Sequence, residues 1–439
     1  MTETALEAGF GRSRLLWLAR NASLALILQF VGGGLGYVLQ VAIAHWMGTS
    51  EFGAYAYATT WATALSLFTG LGLQTAVIRF VPLYAATSDH EGYAGIVRAG
   101  RWFSLVASLA FSSLGTLVAY GLRDHLVAGF GPTVLALWLI PALTLAEFDA
   151  AIARAQGRVA AAYTPWTVIR PLATLGALAL LFSAGAGRNA TTALVATLGV
   201  FVATWLVQRW LVDRRIPGEI KSASSRWETG EWLRVALPLL LVGGFQLALT
   251  QTDILVVGAL GGRTDAALYT AASKTALLVA YLLLAIGFVA GPLVAPLVAS
   301  RRLDELQRLV SATTRWVFLL AVGMGGLLAL VSPFVLKLFG DDFAPARTTM
   351  IILIVGQVIN ASFAGVGFLL SLSGHQRDAA KAYGFVAVLN LALCLTLTPF
   401  FGMEGAATAT VFSILTWNLW LHQVTLRRLG VQTFVFAKA

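Results

Sequence analysis

Long uninterrupted apolar runs constrain this chain more than any other feature. Most of its 439 residues lie in such runs, and a run of roughly 20 apolar residues is long enough to cross ~30 Å of hydrocarbon as a helix. Hydrophobic residues make up 58% of the chain and charged residues only 11%, whereas soluble domains are about 25% charged. Because a bilayer offers the backbone no hydrogen-bond partners, each run must satisfy its own peptide groups. The sequence therefore predicts an all-α integral membrane protein.

Twelve apolar runs predict about twelve transmembrane helices. These helices cover residues 19–46, 52–86, 96–121, 133–156, 160–183, 190–212, 232–261, 264–299, 305–338, 346–373, 377–400 and 404–428. Glycine-rich breakers separate several of the runs, for example at residues 48–50 and 261–262. An even number of crossings places both termini on the same side of the membrane.

The distribution of lysine and arginine predicts which side that is. With a cytoplasmic N-terminus, 22 of the 30 basic residues fall on the inner side, five on the outer side and three inside predicted helices. Cytoplasmic loops carry such an excess of basic residues, so both termini are predicted to be cytoplasmic. The net charge of +10 forms no basic stripe and no nucleic-acid motif, which argues against a nucleic-acid partner.

The two halves of the sequence resemble each other at a nearly constant offset. The matching pairs are Gly48 to Tyr55 with Gly262 to Tyr269, Pro82 with Pro296, Arg101-Trp102 with Arg315-Trp316, and later Gly157 with Gly374. Six helices in each half predict two six-helix bundles related by a parallel pseudo-two-fold repeat, with its axis along the membrane normal. The predicted division is an N-terminal lobe at 1–212, a polar cytoplasmic linker at 213–231 and a C-terminal lobe at 232–439.

Three segments carry a resemblance to a known family. They are Ala44 to Tyr55 (AHWMGTSEFGAY), Gly70 to Phe80 (GLGLQTAVIRF), and Asp253 to Gly258 (DILVVG) followed by Tyr269 to Ala272. With them the chain resembles, over nearly its whole length, the Wzx-type polysaccharide and O-antigen flippases. These flippases belong to the multidrug/oligosaccharidyl-lipid/polysaccharide (MOP) exporter superfamily.

The resemblance implies a V-shaped pair of bundles around a central cavity, working by alternating access. Its implied cargo is an undecaprenyl-diphosphate-linked oligosaccharide, moved from the cytoplasmic to the outer leaflet of a bacterial or archaeal cytoplasmic membrane. Membrane lipids, a proton or sodium counter-ion, and glycan polymerase or ligase partners are implied with it. Such transport makes and breaks no covalent bond, so we expect no catalytic residue, cofactor or metal.

Ionisable residues inside predicted helices are candidates for function because charge is costly in a bilayer. Asp253 and Lys274 are almost equidistant from the turn near residue 263, so we expect them to meet at equal depth. They would act either as a gating or ion-coupling pair or as a structural ion pair. Glu147 and Arg170 are related in the same way, around a turn near residue 158. Asp149 points to another side of its helix, and either it or Glu147 could instead carry a coupling proton.

Arg79 has no acidic residue at a matching depth in its neighbourhood. A planar guanidinium binds phosphate with two hydrogen bonds, so Arg79 is a candidate cavity cation for a diphosphate, together with Arg170 and Lys274. The alternative for Arg79 is snorkelling to the cytoplasmic interface. The polar residues predicted to line the cavity and meet the sugars are Gln29, Tyr37, Gln40, Gln246, Gln251 and Asn360. Arg101 and Arg315 are predicted to be interfacial anchors beside their tryptophans.

Two other functions remain open from the sequence. A cation-coupled multidrug exporter would need carboxylates in the N-terminal cavity, yet the first helix has none between Arg20 and Glu51, and Arg79 would repel cations. A membrane-embedded glycosyltransferase or polymerase would need acids or histidines on substantial outer loops, and these loops are short. The run from Gly32 to Gly36 lies in an apolar helix with no preceding strand, so it predicts close helix packing and not nucleotide binding.

Overall fold

The computed structural model describes residues 12–300, 302–363, 365–373 and 376–436, and these ranges contain helices and turns but no strand. The helices are α1 Arg12–Thr69, α2 Leu73–Ala86, α3 His90–Gly121, α4 Phe130–Leu137, α5 Leu139–Ala155, α6 Val159–Thr164, α7 Arg170–Ser183, α8 Ala190–Asp213, α9 Gly218–Ser222, α10 Thr229–Ala299, α11 Leu303–Leu330, α12 Ser332–Phe339, α13 Arg347–Ala361, α14 Val366–Leu372 and α15 Gln376–Leu429. A π-helical turn at Pro165–Ile169 joins α6 to α7.

Three long helices are folded back on themselves at glycines. The backbone has a positive φ of 77° at Gly48 in α1, 83° at Gly262 in α10 and 56° at Gly402 in α15. Glycine adopts such a conformation at little cost because it has no Cβ. The described residues contain nine helices long and apolar enough to cross a membrane. Since three of them have two arms, the all-α class and the twelve predicted crossings are confirmed.

The repeat is visible in the backbone and also has exceptions. Gly48 and Gly262 make equivalent turns after the first and seventh crossings. The second crossing breaks at Leu71 and Gly72, with φ of 51° and 71°, whereas α10 continues without a break through the equivalent positions. In the C-terminal half the tenth crossing breaks instead, near Gly365. Gly374, the predicted counterpart of Gly157, lies outside the described residues.

The two halves pack together at the end that contains the Gly48 and Gly262 turns, which we call the outer end following the charge-based prediction. Gly53 lies against the backbone carbonyl of Arg263, where any Cβ would clash. Arg263 Nε also donates to the carbonyl of Val127 at 2.6 Å, and its Nη1 lies 3.9 Å from Glu51 Oε1. These contacts close the outer end.

The polar linker at the opposite end, which we call the cytoplasmic end following the same prediction, is docked against the N-terminal half. Arg98 of α3 donates to the carbonyl of Lys221 at 2.5 Å, to that of Ala223 at 3.0 Å and to Ser225 Oγ at 2.7 Å. Arg226 forms an ion pair with Asp89, the residue that caps α3. The linker therefore follows a fixed path along the N-terminal half before α10 begins.

Candidate functional site

A cavity of about 270 Å³ lies between the two halves. Its walls are the first arm of α1, the π-helical turn with the start of α7, and the second arm of α10. The polar and aromatic residues that line it are Gln29, Tyr37, Gln40, Trp166, Thr167, Arg170, Lys274 and Tyr281. Five of these, namely Gln29, Tyr37, Gln40, Arg170 and Lys274, are among the residues that the sequence singled out.

Glycines of α1 allow the other two walls to come close. A Cβ on Gly32 would lie 2.5 Å from Thr167 Cβ, and a Cβ on Gly33 would lie 2.6 Å from Tyr281 Cζ. Thr167 belongs to the N-terminal half and Tyr281 to the C-terminal half. The close packing predicted from this glycine run is therefore confirmed at the cavity wall.

Arg170 is held in place by aromatic rings. Its Nε donates to the carbonyl of Trp166 at 3.1 Å, and its guanidinium carbon lies 4.6 Å from the centre of the Trp166 ring and 5.2 Å from that of Phe201. The π-helical turn just before Arg170 is a distortion that occurs frequently at functional sites. Local geometry thus presents this guanidinium to the cavity in a defined orientation.

Lys274 brings a second positive charge to the cavity from the opposite half. Within the described part of the chain, neither Lys274 nor Arg170 forms an ion pair within 4.0 Å, and none of the lining residues is acidic. Both side chains are partly buried, and Asp253 acts on Lys274 only as a nearby charge without direct contact. Partly buried cations without a direct ion pair are costly, so the cavity favours an anionic ligand. Gln40 Oε1 is also buried without a hydrogen-bond partner among the described residues, and a hydroxyl donor would satisfy it.

The halves are joined directly beside these cations. Tyr37 of α1 hydrogen-bonds Thr275 Oγ1 of α10 at 3.0 Å, and the rings of Phe30 and Tyr281 lie 6.2 Å apart. A ligand that binds here touches both halves at once.

The predicted pair of Glu147 with Arg170 is wrong. Glu147 is exposed and accepts from Arg154 Nη2 at 2.6 Å. Residues seven positions apart lie two turns apart on the same face of a helix, so Glu147 finds its partner on α5 itself. Arg170 instead faces the cavity.

Asp149 lies in a buried cluster of charges. Its carboxylate is fully buried, 2.6 Å from Arg101 Nη2, and accepts from Trp205 Nε1 at 3.1 Å. Arg101 also lies 2.7 Å from Asp213. The prediction of Arg101 as an interfacial anchor is therefore wrong, since its guanidinium points into the N-terminal half.

Asp253 and Lys274 do not form the predicted direct ion pair. Asp253 is 5% exposed and accepts from Tyr269 OH at 2.7 Å, from the amide of Ile254 at 2.9 Å and from Thr410 Oγ1 at 3.4 Å. These donors come from both arms of α10 and from α15. The carboxylate therefore belongs to a polar cluster inside the C-terminal half, while the lysine faces the cavity.

The remaining candidates lie away from the cavity lining. Arg79 is exposed, with its guanidinium carbon 5.8 Å from the ring centre of Phe80. Asn360 accepts from Asn418 Nδ2 at 3.0 Å. Gln246 and Gln251 lie on the first arm of α10 and are not among the lining residues.

Sequence reasoning missed Trp166, Thr167 and Tyr281, although a signal for two of them was present. Trp166 precedes Arg170 by four residues and Tyr281 follows Lys274 by seven. Both spacings place the aromatic ring on the same helix face as the cation.

Comparisons with known proteins agree with this architecture. The sequence model of a family described as polysaccharide biosynthesis protein matches residues 18–298, and that of the MatE family matches residues 238–396. No curated protein matches the sequence significantly.

Several solved structures share the fold at low sequence identity. An inward-facing multidrug resistance MATE family transporter of the MOP superfamily has a TM-score of 0.76 and 15% identity, over 92% of this chain and 98% of that one. The lipid II flippase MurJ in an inward closed conformation has a TM-score of 0.74 and 16% identity, over 92% and 87%. A MOP superfamily transporter from Pyrococcus furiosus has a TM-score of 0.66 and 15% identity, over 94% and 96%.

Proposed function

From the premise that this chain belongs to the polysaccharide biosynthesis protein family of the MOP superfamily, we propose that it is a flippase for an undecaprenyl-diphosphate-linked oligosaccharide. It would move this cargo from the cytoplasmic to the outer leaflet by alternating access. The observation that carries the proposal is the pair of cations, Arg170 and Lys274, that face one cavity from opposite halves with no acidic residue in its described lining.

The lining residues offer binding partners for both parts of such a head group, the diphosphate and the sugar. Arg170 can bind a phosphate with two charge-assisted hydrogen bonds, and Lys274 adds a point charge beside it. Gln29, Gln40 and Tyr37 offer hydrogen bonds to sugar hydroxyls. Ligand pockets for whole small molecules are about 300–1,000 Å³, so a cavity of about 270 Å³ suits the diphosphate and the first sugar. The rest of the glycan and the lipid tail would extend beyond it.

Asp253 is our candidate for coupling transport to a proton or sodium ion. It is buried, it is held by neutral donors, and it forms no ion pair within the part of the chain that is described. Glu147 and Asp149, the other two candidates, are each paired with an arginine, so a coupling ion would first have to break that pair.

The proposal is tested by reconstituting the protein in liposomes with a fluorescent undecaprenyl-diphosphate oligosaccharide. Arg170→Ala and Lys274→Ala should each lower the initial rate at least about tenfold, because a hydrogen bond to a charged group contributes ~1.5–3 kcal/mol. Arg308→Ala, at an exposed arginine of α11, is the matched control and should transport the oligosaccharide at the wild-type rate. Arg79→Ala belongs in the same series. If it abolishes transport while both cavity variants remain active, the binding site lies elsewhere.

Export of cationic drugs is the second candidate, favoured by the MatE match over residues 238–396. The two cavity cations would repel such cargo. Efflux of ethidium from loaded liposomes distinguishes the two functions: the flippase proposal expects none, and robust efflux that survives Arg170→Ala would contradict it.

A further inference from the structure

Three arginines meet at the cytoplasmic end of α8. Arg158 Nη1 donates to the carbonyl of Leu211 at 2.8 Å, which places its guanidinium at the last turn of that helix. The helix ends at Asp213 and is followed directly by Arg214 and Arg215. We call Arg158, Arg214 and Arg215 the arginine triad.

The acidic residue nearest to the triad in sequence is already neutralised. Asp213 lies 2.7 Å from Arg101 and 3.4 Å from Arg209, and Arg101 also pairs with Asp149. Two arginines and two aspartates therefore balance one another in that cluster. In the described ranges no ion pair is formed by any member of the triad, in contrast to Arg154, Arg226, Arg302 and Arg428 on the same side.

The charges of the triad act on one another. Burial lowers the pKa of Arg158, and the neighbouring charges of Arg215 and Arg214 lower it further. The C-terminal end of a helix favours cations by ~0.3–1 kcal/mol, which accounts for Arg158 beside the Leu211 carbonyl. The cytoplasmic excess of basic residues accounts for two more arginines on this side, but it does not require three guanidinium groups to meet at one place without an ion pair among the described residues.

The triad also lies beside an aromatic residue typical of the membrane interface. The guanidinium carbon of Arg214 is 4.3 Å from the ring centre of Trp210, whose side chain is 58% exposed. Tryptophan is enriched at the depth of the lipid headgroups. The contact with Trp210 is what we expect if the triad, which forms no ion pair among the described residues, lies near the depth of the lipid phosphates.

We propose that the arginine triad binds the headgroup phosphate of an anionic phospholipid, such as phosphatidylglycerol, in the cytoplasmic leaflet. Guanidinium groups match phosphate geometry, and the anionic lipid would supply the negative charge that the triad lacks. This lipid site is separate from the cargo cavity and goes beyond the proposed flippase activity. Because the triad spans the end of α8 and the start of the linker, an occupied site would fasten this junction to the membrane surface.

The test uses the full chain in nanodiscs of equimolar phosphatidylglycerol and phosphatidylcholine, extracted into detergent and examined by native mass spectrometry. The wild type should retain phosphatidylglycerol in preference to phosphatidylcholine. The triple variant R158Q/R214Q/R215Q should lower that preference at least about fivefold, since each charge-assisted hydrogen bond from a guanidinium to a bound phosphate contributes ~1.5–3 kcal/mol. The control R234Q/R308Q/R315Q removes the same charge from exposed arginines elsewhere and should leave it unchanged.

Several outcomes would overturn the lipid site. These are an equal preference for both lipids in the wild type, a preference that survives in the triple variant, or an equal loss in the control. Millimolar inorganic phosphate should not displace the lipid, and full displacement would show a free-phosphate site instead. Should the triple variant fail to fold, R214Q changes one exposed side chain that stacks on the exposed Trp210, and it should still lower the preference measurably.

Discussion

At the scale of single residues, the two cavity cations are held differently. Arg170 is fixed by a backbone carbonyl and two aromatic rings, whereas no hydrogen bond from the Lys274 ammonium is formed within the described part of the chain. A fixed guanidinium selects the orientation of a phosphate, and a flexible ammonium contributes charge. A substitution that keeps the positive charge should therefore be tolerated less well at Arg170 than at Lys274.

Arg170→Lys keeps the charge but loses the planar fork and its stacking on the rings. We expect the flipping rate in liposomes to fall on the order of tenfold. Lys274→Arg keeps both charge and donors, so its rate should change less. Equal effects of the two exchanges would contradict an orienting role for Arg170.

Gly32→Ala tests the close contact at the cavity wall. The new Cβ would meet Thr167 Cβ at 2.5 Å and the Thr167 carbonyl oxygen at 3.0 Å, so we expect a destabilisation of about 1–3 kcal/mol from overpacking. Gly34→Ala is the matched control because a Cβ there meets nothing within 4 Å. Thermal unfolding in detergent should show a lower transition temperature for the first variant alone.

Sequence reasoning found both cavity cations, assigned Arg170 the wrong partner, and placed Asp253 near Lys274 but in a direct ion pair that does not form. Matching residues by their distance from a turn estimates depth along the helix, but it does not say which way each side chain faces. Each residue turns about 100° around the helix axis, and that rotation sends Arg170 to the cavity and leaves Glu147 with Arg154. The direction in which a side chain points depends on which helices pack against its own helix, and a single sequence does not contain that information.

At the scale of elements, the linker is part of the N-terminal half. It is polar and rich in serine, a composition typical of a flexible connection. Arg98 nevertheless captures two of its carbonyls, and the buried Trp232 at the start of α10 donates to Tyr84 OH at 3.1 Å. The start of α10 is therefore anchored to the N-terminal half.

Arg98→Ala should release the linker, because three hydrogen bonds are lost at once. Limited trypsin digestion reports this directly, since Lys221 and Arg226 are cleavage sites within the docked segment. We expect cleavage there to become several-fold faster. Arg234→Ala, which removes an exposed arginine of α10, should digest like the wild type, and equal digestion of both variants would contradict the docking role.

The same docking predicts a specific pH dependence. Hydrogen bonding from the amide of Gly92 and pairing with Arg226 hold the pKa of Asp89 below its usual value. A lowered folded pKa means that the contribution of Asp89 is fully present above about pH 4, the unfolded value, and is lost as the pH falls through the folded pKa. Hydrogen-exchange protection factors of residues 218–228 should stay constant from about pH 5 to 8 and fall in stronger acid. A loss of protection near neutral pH would contradict this assignment.

Helix positions were largely predictable, and the breaks within them were not. The turns at Gly48 and Gly262 follow from glycine and from the repeat. The break at Leu71 depends on a positive φ in a leucine, and hydropathy carries no information about it. The π-helical turn before Arg170 was not predicted. Pro165 and Pro171 border it, and proline disrupts regular helix hydrogen bonding, but that does not specify a π-helical turn.

At the scale of the whole molecule, contacts of Arg263 close the outer end. One arginine of the C-terminal half reaches Val127 and Glu51 of the N-terminal half, and Glu51 also accepts from the amide of Ala190 at 2.7 Å. The proposed flippase would require an outer end closed in this way while it takes up cargo from the cytoplasmic leaflet. Arg263 should therefore bias the balance between the two access states.

Arg263→Ala should shift the population toward states with an open outer end, by about fivefold or more for a coupling of ~1 kcal/mol. Distances between spin labels placed on the outer turns near residues 50 and 265 would report this shift. Arg123→Ala is the control, because Arg123 is exposed at the same end and its contacts, with Asp124 and the Tyr120 ring, stay within the N-terminal half. An unchanged distance distribution in Arg263→Ala would show that apolar packing alone closes the outer end.

The placement of Arg170 and Lys274 on opposite halves has a consequence for leakage. While the site is empty, two like charges face each other across it, so drawing the halves together around it is electrostatically uphill. A diphosphate reverses the sign of that interaction and makes the same movement favourable. In the proposed flippase, the repulsion would therefore slow conformational cycling of the unloaded protein and would limit ion leakage without cargo. Binding of the cargo would then be what makes the conformational change favourable.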